Sequence, residues 1–308
     1  MIHVIGNAAI DSVIRLERLP VAGETLLAES AAEDLGGKGA NQAIVIARCG
    51  VGVRLVAAIG ADDAGRRIRD VLAAEGVIID GLWVRAGATD RCVIYVDRAG
   101  ENTIVSLVDA ARMFSPLDVT ELERWISHDD HVLLQGNLRP EITRDCLKCA
   151  KARGAVTVLN PSPTYPAGDY DWKSVDLAIV NGVEAIELGG GGDPASAARA
   201  LLRAGVGAVI LTEGSRGATW IDSQTQLHVD APRVEAVDTV GAGDVFCGVL
   251  VAALATGGAP IDAMGVATAT AAISVTRRGV LASFPTAAEI RRASGLGDRP
   301  RPIEEAAQ

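Results

Sequence analysis

The chain has 308 residues, of which 49% are hydrophobic and only 3% aromatic, so it is long enough for a large aliphatic core. Its formal net charge of −10 and pI near 5.0 exclude a general attraction to nucleic acids or to anionic membrane surfaces. No apolar run reaches the roughly 18 residues of a membrane span, and the first residues already read as a strand. We therefore expect a cytoplasmic protein without nucleic-acid or membrane partners.

The cysteines and histidines indicate no metal centre. Five cysteines are an odd number in apolar or helical settings, which predicts free thiols in a reducing compartment. Cys146 and Cys149 have CxxC spacing, but no second pair completes a zinc site. The four histidines also lack metal-like spacing, so we expect all nine residues to be structural.

Short apolar runs alternate with amphipathic helical stretches from residue 1 to about residue 230. This alternation predicts βαβ units, and hence an α/β fold with a mostly parallel sheet covered by helices. We expect one domain over residues 1–298 and a disordered tail over residues 299–308. The first strand is not followed by GxGxxG, which disfavours a dinucleotide-binding oxidoreductase.

Strand-like segments within residues 12–35 and 88–108 predict a second, small sheet with a turn at residues 97–100. Between them, Gly36-Gly37-Lys38-Gly39-Ala40-Asn41 precedes a helix. The glycines would let the backbone approach a ligand closely, while Lys38 and Asn41 offer donors that suit a polyol. The segment lacks GxxxxGK[ST], so a Walker-type phosphate loop is the weaker interpretation.

Polar residues follow three of the later apolar runs. Asn137 ends the run that starts near residue 132, and Asn181 with Glu184 follows the run near residue 178. The run near residue 209 leads through Thr212 into a Gly-rich turn containing Ser215. Strand ends of this kind are where open α/β sheets bind ligands.

A turn of small residues opens an apolar helix at Gly241-Ala242-Gly243-Asp244. Backbone N–H groups that converge at a helix N-terminus favour a phosphate. Two interpretations of Asp244 stay open at this point. It either caps the helix or complements its dipole, or it accepts the proton of a hydroxyl that attacks the bound phosphate.

These two glycine-rich segments resemble the two signatures of the ribokinase-like, or PfkB, family of sugar kinases. The second signature matches except at Val249, where the family usually has Ala or Gly. The residues that fit the first signature are Gly36, Gly37, Gly39, Asn41, Ala43, Gly50 and Gly60. The resemblance implies a three-layer α/β/α sandwich with a small β-sheet lid, which in the family often carries a dimer contact.

The resemblance also implies ATP-dependent phosphorylation of a hydroxyl, which we expect to be a primary one, on a small sugar. Asp244 would be the base, and Gly241, Ala242 and Gly243 would form the anion hole. The sugar would contact Asp11, Gly37, Lys38, Asn41, Asn137 and Asp244. ATP would contact Asn181, Thr212, Gly214, Ser215, Gly217, Gly243 and Thr268. Mg²⁺ would be held through water by Glu184, and K⁺ would lie near Asp238, Val240, Gly279 and Ser283.

Two positions depart from ribokinase itself. Asn137 lies where ribokinase has a sugar-binding Glu, and Ala9 replaces an Asn that touches the same sugar. Each lost partner of a buried hydroxyl would cost about 1–3 kcal/mol, so D-ribose is in doubt as the substrate. The alternatives are a nucleoside kinase, a phosphosugar kinase, or a sugar-binding protein without catalysis. A phosphosugar would require cations near the pocket, for which the candidates are Arg91, Arg112 and Arg139.

Overall fold

A computed structural model describes residues 1–98, 101–166 and 170–294 of the chain. The predicted disordered tail at residues 299–308 lies outside the described residues, as does part of the predicted turn at residues 97–100. No helix in the described ranges is long and apolar enough to cross a membrane.

The strands are numbered in chain order and belong to two sheets. Their bounds are β1 Ile2–Ile5, β2 Ala9–Arg15, β3 Ser30–Gly36, β4 Val53–Gly60, β5 Leu82–Arg85, β6 Asp90–Val96, β7 Asn102–Leu107, β8 His131–Gln135, β9 Val156–Asn160, β10 Leu177–Asn181, β11 Ala208–Thr212, β12 Ala218–Ile221 and β13 Gln226–Val229. The large sheet has the order β13-β12-β11-β10-β9-β8-β1-β4-β5, and the small sheet has the order β3-β2-β6-β7.

Helices connect most strands of the large sheet. Their bounds are α1 Lys38–Arg48, α2 Asp63–Ala74, α3 Asp109–Arg112, α4 Pro116–Leu122, α5 Pro140–Ala152, α6 Gly182–Gly189, α7 Pro194–Ala204, α8 Ala242–Ala255, α9 Pro260–Ser274 and α10 Ala287–Ala293. Asp62 caps α2 by accepting from the backbone N–H of Gly65, and Asp63 lies in the first turn of the helix.

The large sheet is parallel except at β12 and β13. Strand β1 illustrates why the strands of this sheet are continuous apolar runs in the sequence. All four of its residues are buried, and Ile2 and Val4 join the core on one face while Ile5 joins the core on the other. A strand covered on both faces has no position for an exposed polar side chain. The prediction of a parallel sheet between helical layers is confirmed.

The small sheet contains the two predicted strand regions, but its first strand begins earlier than expected. β2 starts at Ala9 and pairs with β3 and with β6. Asp11 therefore lies inside a strand, opposite Asp34 and Cys92, and not in a loop after β1. The pairing with β6, some eighty positions further along the chain, could not be read from the local pattern.

Candidate active site

The N-cap residue of helix α8 is a glycine whose conformation disfavours any residue that carries a side chain. Gly241 has a φ of 79°, in the left-handed region, and a Cβ there would lie 2.7 Å from Phe284 Cε1. The absence of a side chain thus satisfies both the backbone and the close packing of Phe284. This position fixes how the first turn of α8 meets the rest of the site.

The first turn of α8 presents backbone donors that the helix itself does not use. The N–H of Ala242 donates to Thr239 O at 3.3 Å. The N–H groups of Gly243 and Asp244 come before the first residue that has a helical acceptor. Together with the positive end of the helix dipole, they can hold an anion.

Asp244 turns away from its own helix and is held by α1. It is 4% exposed, its Oδ2 accepts from Asn41 Nδ2 at 2.9 Å, and its Oδ1 accepts from Gln42 Nε2 at 3.0 Å. Lys38 Nζ lies 3.6 Å from the same Oδ1. No side chain makes the capping hydrogen bond of α8, so the interpretation of Asp244 as a cap is wrong.

The three donors come from one face of α1 because residues three and four positions apart lie above one another on a helix. α1 starts at Gly37, which has a φ of 87°, and a Cβ there would be 2.9 Å from Ala8 Cα. The helices α1 and α8 meet where a Cβ on Gly248 would lie 2.7 Å from Val45 Cβ. This close crossing brings the two signature segments together.

Asp11 is the second buried carboxylate of the site. It is 7% exposed, and its Oδ1 has no hydrogen-bond partner. Burial is the main reason why the pKa of Asp11 is raised to about 6; the hydrogen bond with Cys92 opposes this rise, and the nearby Asp244 and Asp34 carboxylates add to it. A Cβ on Gly36 would overlap the Asp11 carboxyl group, so this glycine makes room for it.

A cleft of about 500 Å³ lies between the edge of the large sheet and the small sheet. All six residues predicted to bind the sugar line it, namely Asp11, Gly37, Lys38, Asn41, Asn137 and Asp244. The small sheet and the residue after it contribute Cys92, Ile94, Ile104, Ser106 and Val108. The small sheet thus stands over the cleft as the predicted lid would.

Hydrogen-bond acceptors without partners are concentrated in this cleft. Asn41 donates to Asp244, so its amide orientation is fixed and its Oδ1 is left unpaired. The Oδ1 atoms of Asn7, Asp11 and Asn137 are also buried without a partner. Buried acceptors that have no protein donor need a ligand or water that brings O–H or N–H groups.

The only cation among the residues lining the cleft is already paired. Lys38 faces Asp244, whose charge raises the pKa of the lysine above its ordinary value. The three arginines considered for a phosphosugar do not line the cleft. Arg91 lies 3.4 Å from Glu33, and Arg139 pairs with Glu141 at 2.9 Å.

Six of the seven residues predicted to bind ATP lie at or after the ends of β10 and β11 and on α9, and the seventh, Gly243, lies in the first turn of α8. Asn181 and Glu184 form a capping box, in which each side chain accepts from the other residue's backbone N–H at 2.9 Å. Asn181 pairs in register with Thr212, after which Gly214 and Ser215 form a short 3₁₀ turn that ends at Gly217. Thr268 is buried on α9, and its hydroxyl has no partner.

Asp238, one of the four residues predicted for potassium, is hydrogen-bonded to two of the other three. Its Oδ1 accepts from Val240 N at 3.0 Å, and its Oδ2 accepts from Gly279 N at 3.2 Å. Ser283 lies in the following turn, where its hydroxyl donates to Val280 O at 2.7 Å. In the described ranges no group of three or more His, Cys, Asp or Glu side chains could hold a metal ion.

Sequence reasoning missed several residues that the fold brings to the site. Gln42 directly follows Asn41, and it was not singled out although it lies one position from a predicted ligand. Asn7, Ser162, Pro163 and Tyr165 line the cleft from loops after β1 and β9. Their position after strand ends was the one signal that could have identified them.

Residues 1–287 match the model of the pfkB family carbohydrate kinases. The chain is 31% identical over 292 residues to a ribokinase of Haemophilus influenzae, covering 93% of this chain and 95% of that protein. It is 31% identical over 295 residues to a deoxyribokinase of Salmonella typhi, covering 92% of this chain and 95% of that protein.

Solved structures give the same result for the fold. A ribokinase from Thermotoga maritima has a TM-score of 0.85 and 31% identity, covering 95% of this chain and 98% of that one. A ribokinase from Arabidopsis thaliana, complexed with ribose and ATP, has a TM-score of 0.84 and 26% identity, with the same coverage of 95% and 98%. The predicted ribokinase-like fold class, with its small lid sheet, is confirmed.

Proposed function

Because this chain belongs to the pfkB family of carbohydrate kinases, we propose that it transfers the γ-phosphoryl group of ATP to a primary hydroxyl of a small, uncharged sugar. The observation that carries this proposal is the buried Asp244 carboxylate, which lies at the N-terminus of α8 and lines the same cleft as Asp11, Lys38 and Asn41. A base beside an anion-binding helix terminus is the pair of groups that phosphoryl transfer to a hydroxyl needs.

Asp244 would accept the proton of the attacking hydroxyl. Its Oδ2 accepts one hydrogen bond in the structure, from Asn41, and a carboxylate oxygen can accept two. The N–H of Gly241 and the free N–H groups of Gly243 and Asp244 would stabilise the negative charge on the transferring group, while the N–H of Ala242 donates to Thr239 O. Asp11 would orient the sugar by accepting from its hydroxyls.

Mg²⁺ would neutralise the phosphates of ATP, and Glu184 with Asn181 would hold it through water. Each has a side-chain oxygen that accepts only one hydrogen bond in the capping box, so lone pairs remain for such water. Asp238 would hold K⁺ together with Val240, Gly279 and Ser283. The Asp238 carboxylate already joins the loops that contain Val240 and Gly279, which supports this assignment.

The charges in the cleft favour an uncharged sugar over a phosphosugar. The lining offers unpaired acceptors at Asn7, Asp11, Asn41 and Asn137, which suit hydroxyl donors. The Lys38 ammonium is paired with Asp244, so it is not free to neutralise a substrate phosphate. An anionic group beside two carboxylates would be repelled.

A nucleoside is the second candidate. Ile94, Ile104 and Val108 from the lid, and Tyr165 from the loop after β9, place apolar and aromatic surface on the cleft. Such surface would suit a base attached to the sugar. The relatives named ribokinase and deoxyribokinase favour the free sugar, although Ala9 and Asn137 leave the choice of sugar open.

The function is tested by measuring ADP release from Mg-ATP with pentoses, 2-deoxypentoses, hexoses, sugar phosphates and nucleosides, with and without potassium. We expect turnover with one uncharged sugar and none with sugar phosphates. Turnover that requires a phosphorylated acceptor would contradict the assignment of an uncharged substrate. The Asp244→Asn protein serves as the blank, because it keeps the cleft but lacks the base.

Acidification is expected to weaken sugar binding through Asp11. Its pKa is about 6, so below that pH the carboxyl takes up a proton and loses acceptor capacity. The KM for the sugar should therefore rise as pH falls through about 6, whereas Asp11→Asn should have a high KM without this dependence. An equal pH dependence in that variant would contradict the assignment.

Protonation of Asp11 also affects folding stability, and here acidification is favourable, whereas it weakens sugar binding. Burial raises the pKa of Asp11 from its ordinary 3.8 to about 6, so between these pH values the folded state holds the proton more tightly than the unfolded state. This contribution to the free energy of unfolding falls as pH rises through that window. Urea unfolding of wild type and Asp11→Asn at both ends of the window measures the difference.

Three broader predictions belong to the same proposal. We propose one kinase domain over residues 1–298, with the small sheet as its lid. On β7 of the lid, Val105 and Leu107 are each about half exposed and do not line the cleft, which supports a homodimer through this sheet, and a sedimentation coefficient would report it. All five cysteines are free thiols, which supports a cytoplasmic location that fractionation of cells would test.

A further inference from the structure

Three buried side-chain amides lie behind Asp244 and form what we call the amide cluster. Its members are Gln42 on α1, Gln135 at the end of β8 and Asn160 at the end of β9. Gln42 and Gln135 have no exposed surface, and Asn160 is also buried. Gln42 is the member that touches Asp244, through the bond from its Nε2 to Oδ1 at 3.0 Å.

The cluster determines which way the Gln42 amide faces. Its Nε2 also donates to Asn160 Oδ1 at 3.2 Å, and its Oε1 accepts from Gln135 Nε2 at 2.8 Å. A carboxamide has two N–H donors on one side and an acceptor on the other, so all three bonds require this one orientation. A flipped amide would place its oxygen against the oxygens of Asp244 and Asn160.

The central sheet anchors the cluster. Asn160 Nδ2 donates to Ile179 O on the neighbouring strand β10 at 2.9 Å. Gln135 Oε1 occupies the space that a Cβ on Gly6 would need, at the end of β1. Gln135 Oε1 makes no hydrogen bond, so the cluster is held by the bond from Asn160 to β10 and by close packing against β1.

We propose that Gln42, oriented by Gln135 and Asn160, is a positioning residue that fixes the Asp244 carboxylate for proton abstraction; this inference rests on the proposed function. Each oxygen of Asp244 accepts one hydrogen bond, Oδ1 from Gln42 and Oδ2 from Asn41. The bond from Gln42 holds Oδ1 on the side where the Lys38 ammonium lies 3.6 Å away, so Oδ2 is the oxygen whose second lone pair is left for the sugar hydroxyl. Without Gln42 the carboxylate could rotate and offer either oxygen at a poorer distance.

Replacing Gln42 with Met keeps the size of the side chain and removes the donor. We expect kcat to fall by about 10- to 100-fold, with the KM values for sugar and ATP unchanged, because geometry at the base affects the chemical step. Thr143→Val serves as the matched control. Thr143 is a fully buried polar residue on α5 that does not line the cleft, and this variant should keep the wild-type kcat.

Gln42→Glu gives a readout that a merely structural role would not move. It places a second carboxyl group beside Asp244, and two such groups share one proton and release it only at higher pH. The titratable groups near Asp244 and Gln42 are Lys38, which pairs with Asp244, and Asp11, Cys247 and Glu184. Gln42→Met leaves all four in place. The acid limb of kcat should therefore move to higher pH in Gln42→Glu and stay in place in Gln42→Met.

A double-mutant cycle tests whether Gln135 acts through Gln42. Gln135→Met should lower kcat less than Gln42→Met does, and the double variant should lose no more than Gln42→Met alone. Additive losses, or a wild-type kcat in a folded Gln42→Met protein, would overturn the inference. If the Gln42→Met protein does not fold, a wild-type kcat in the Gln135→Met protein would likewise overturn the inference. Asp244→Asn separates the two proposals, since turnover in that variant would contradict the proposed function itself.

Discussion

Replacing Asp244 with Asn is expected to lower kcat by about 10²- to 10⁴-fold, which is the contribution that a positioned general base makes. The change preserves the size of a side chain that is 4% exposed. The new amide can accept a hydrogen bond from Lys38 or from the donors of α1 only through its single oxygen. The affinity for ATP should be kept, because the carboxylate repels phosphate rather than binding it. Single-turnover rates and calorimetric titration with Mg-ATP measure these two quantities.

Asp63→Asn is the matched control for this experiment. Asp63 is also a carboxylate in the first turn of a helix, α2, but it is exposed and does not line the cleft. Both carboxylates interact favourably with a helix dipole, so both variants should lose up to about 1 kcal/mol of stability from that source. Only Asp244→Asn should lose turnover. Equal kcat values for the two variants would leave Asp244 with a purely electrostatic role in its helix.

The sequence made the fold class and the family predictable because their signals are local or motif-based. Alternating apolar runs and helices indicated a parallel sheet, and two glycine-rich segments indicated the kinase family. All three predictions, including that of a carbohydrate kinase, are confirmed by the family match and the similar structures. A sugar-binding protein without catalysis and a dinucleotide-dependent oxidoreductase are accordingly disfavoured.

The support of the site was not predictable, since it depends on residues that only the fold brings together. Gln42 meets Gln135 across 93 positions of the chain and Asn160 across 118 positions. Neither contact has a local signature, because a glutamine in a helix and a polar residue at a strand end are individually common. Pairing of β2 with β6 likewise carried Asp11 into a strand. Sequence motifs predicted side chains that line one cleft, and the tertiary structure shows which residues hold them there.

Asn181 and Glu184 show a second limit of prediction from sequence, because their local structure does not reveal whether they bind a ligand. Their spacing alone is also compatible with a helix N-cap and a surface charge, without any part in binding magnesium. The structure has the capping box, with reciprocal bonds of 2.9 Å, and this arrangement leaves lone pairs for water on both side chains. The local structure is therefore accounted for without a ligand, and the role in binding ATP stays a prediction.

Replacing Gly241 with Ala is expected to have the second-largest effect, about a 10²- to 10³-fold loss of kcat, the cost of losing one donor to developing negative charge. A Cβ would lie 2.7 Å from Phe284 in a backbone conformation with a φ of 79°. Relief of either conflict requires the first turn of α8 to move, and the N–H groups at Gly243 and Asp244 move with it. Steady-state kinetics and urea unfolding of the same preparation separate catalysis from stability.

Gly257→Ala provides the comparison, because Gly257 follows the other end of α8 with a φ of 85°, and a Cβ added there would have no neighbouring atom within 4 Å. Both variants should lose about 1–2 kcal/mol of unfolding free energy from the left-handed conformation. Gly257→Ala should nevertheless keep its kcat, since no part of the cleft depends on it. If Gly241→Ala also keeps its kcat, the N-terminal turn of α8 does not stabilise the transferring phosphoryl group. A loss confined to Gly241→Ala would instead show that the position of these N–H groups, and not strain in the helix, limits the reaction.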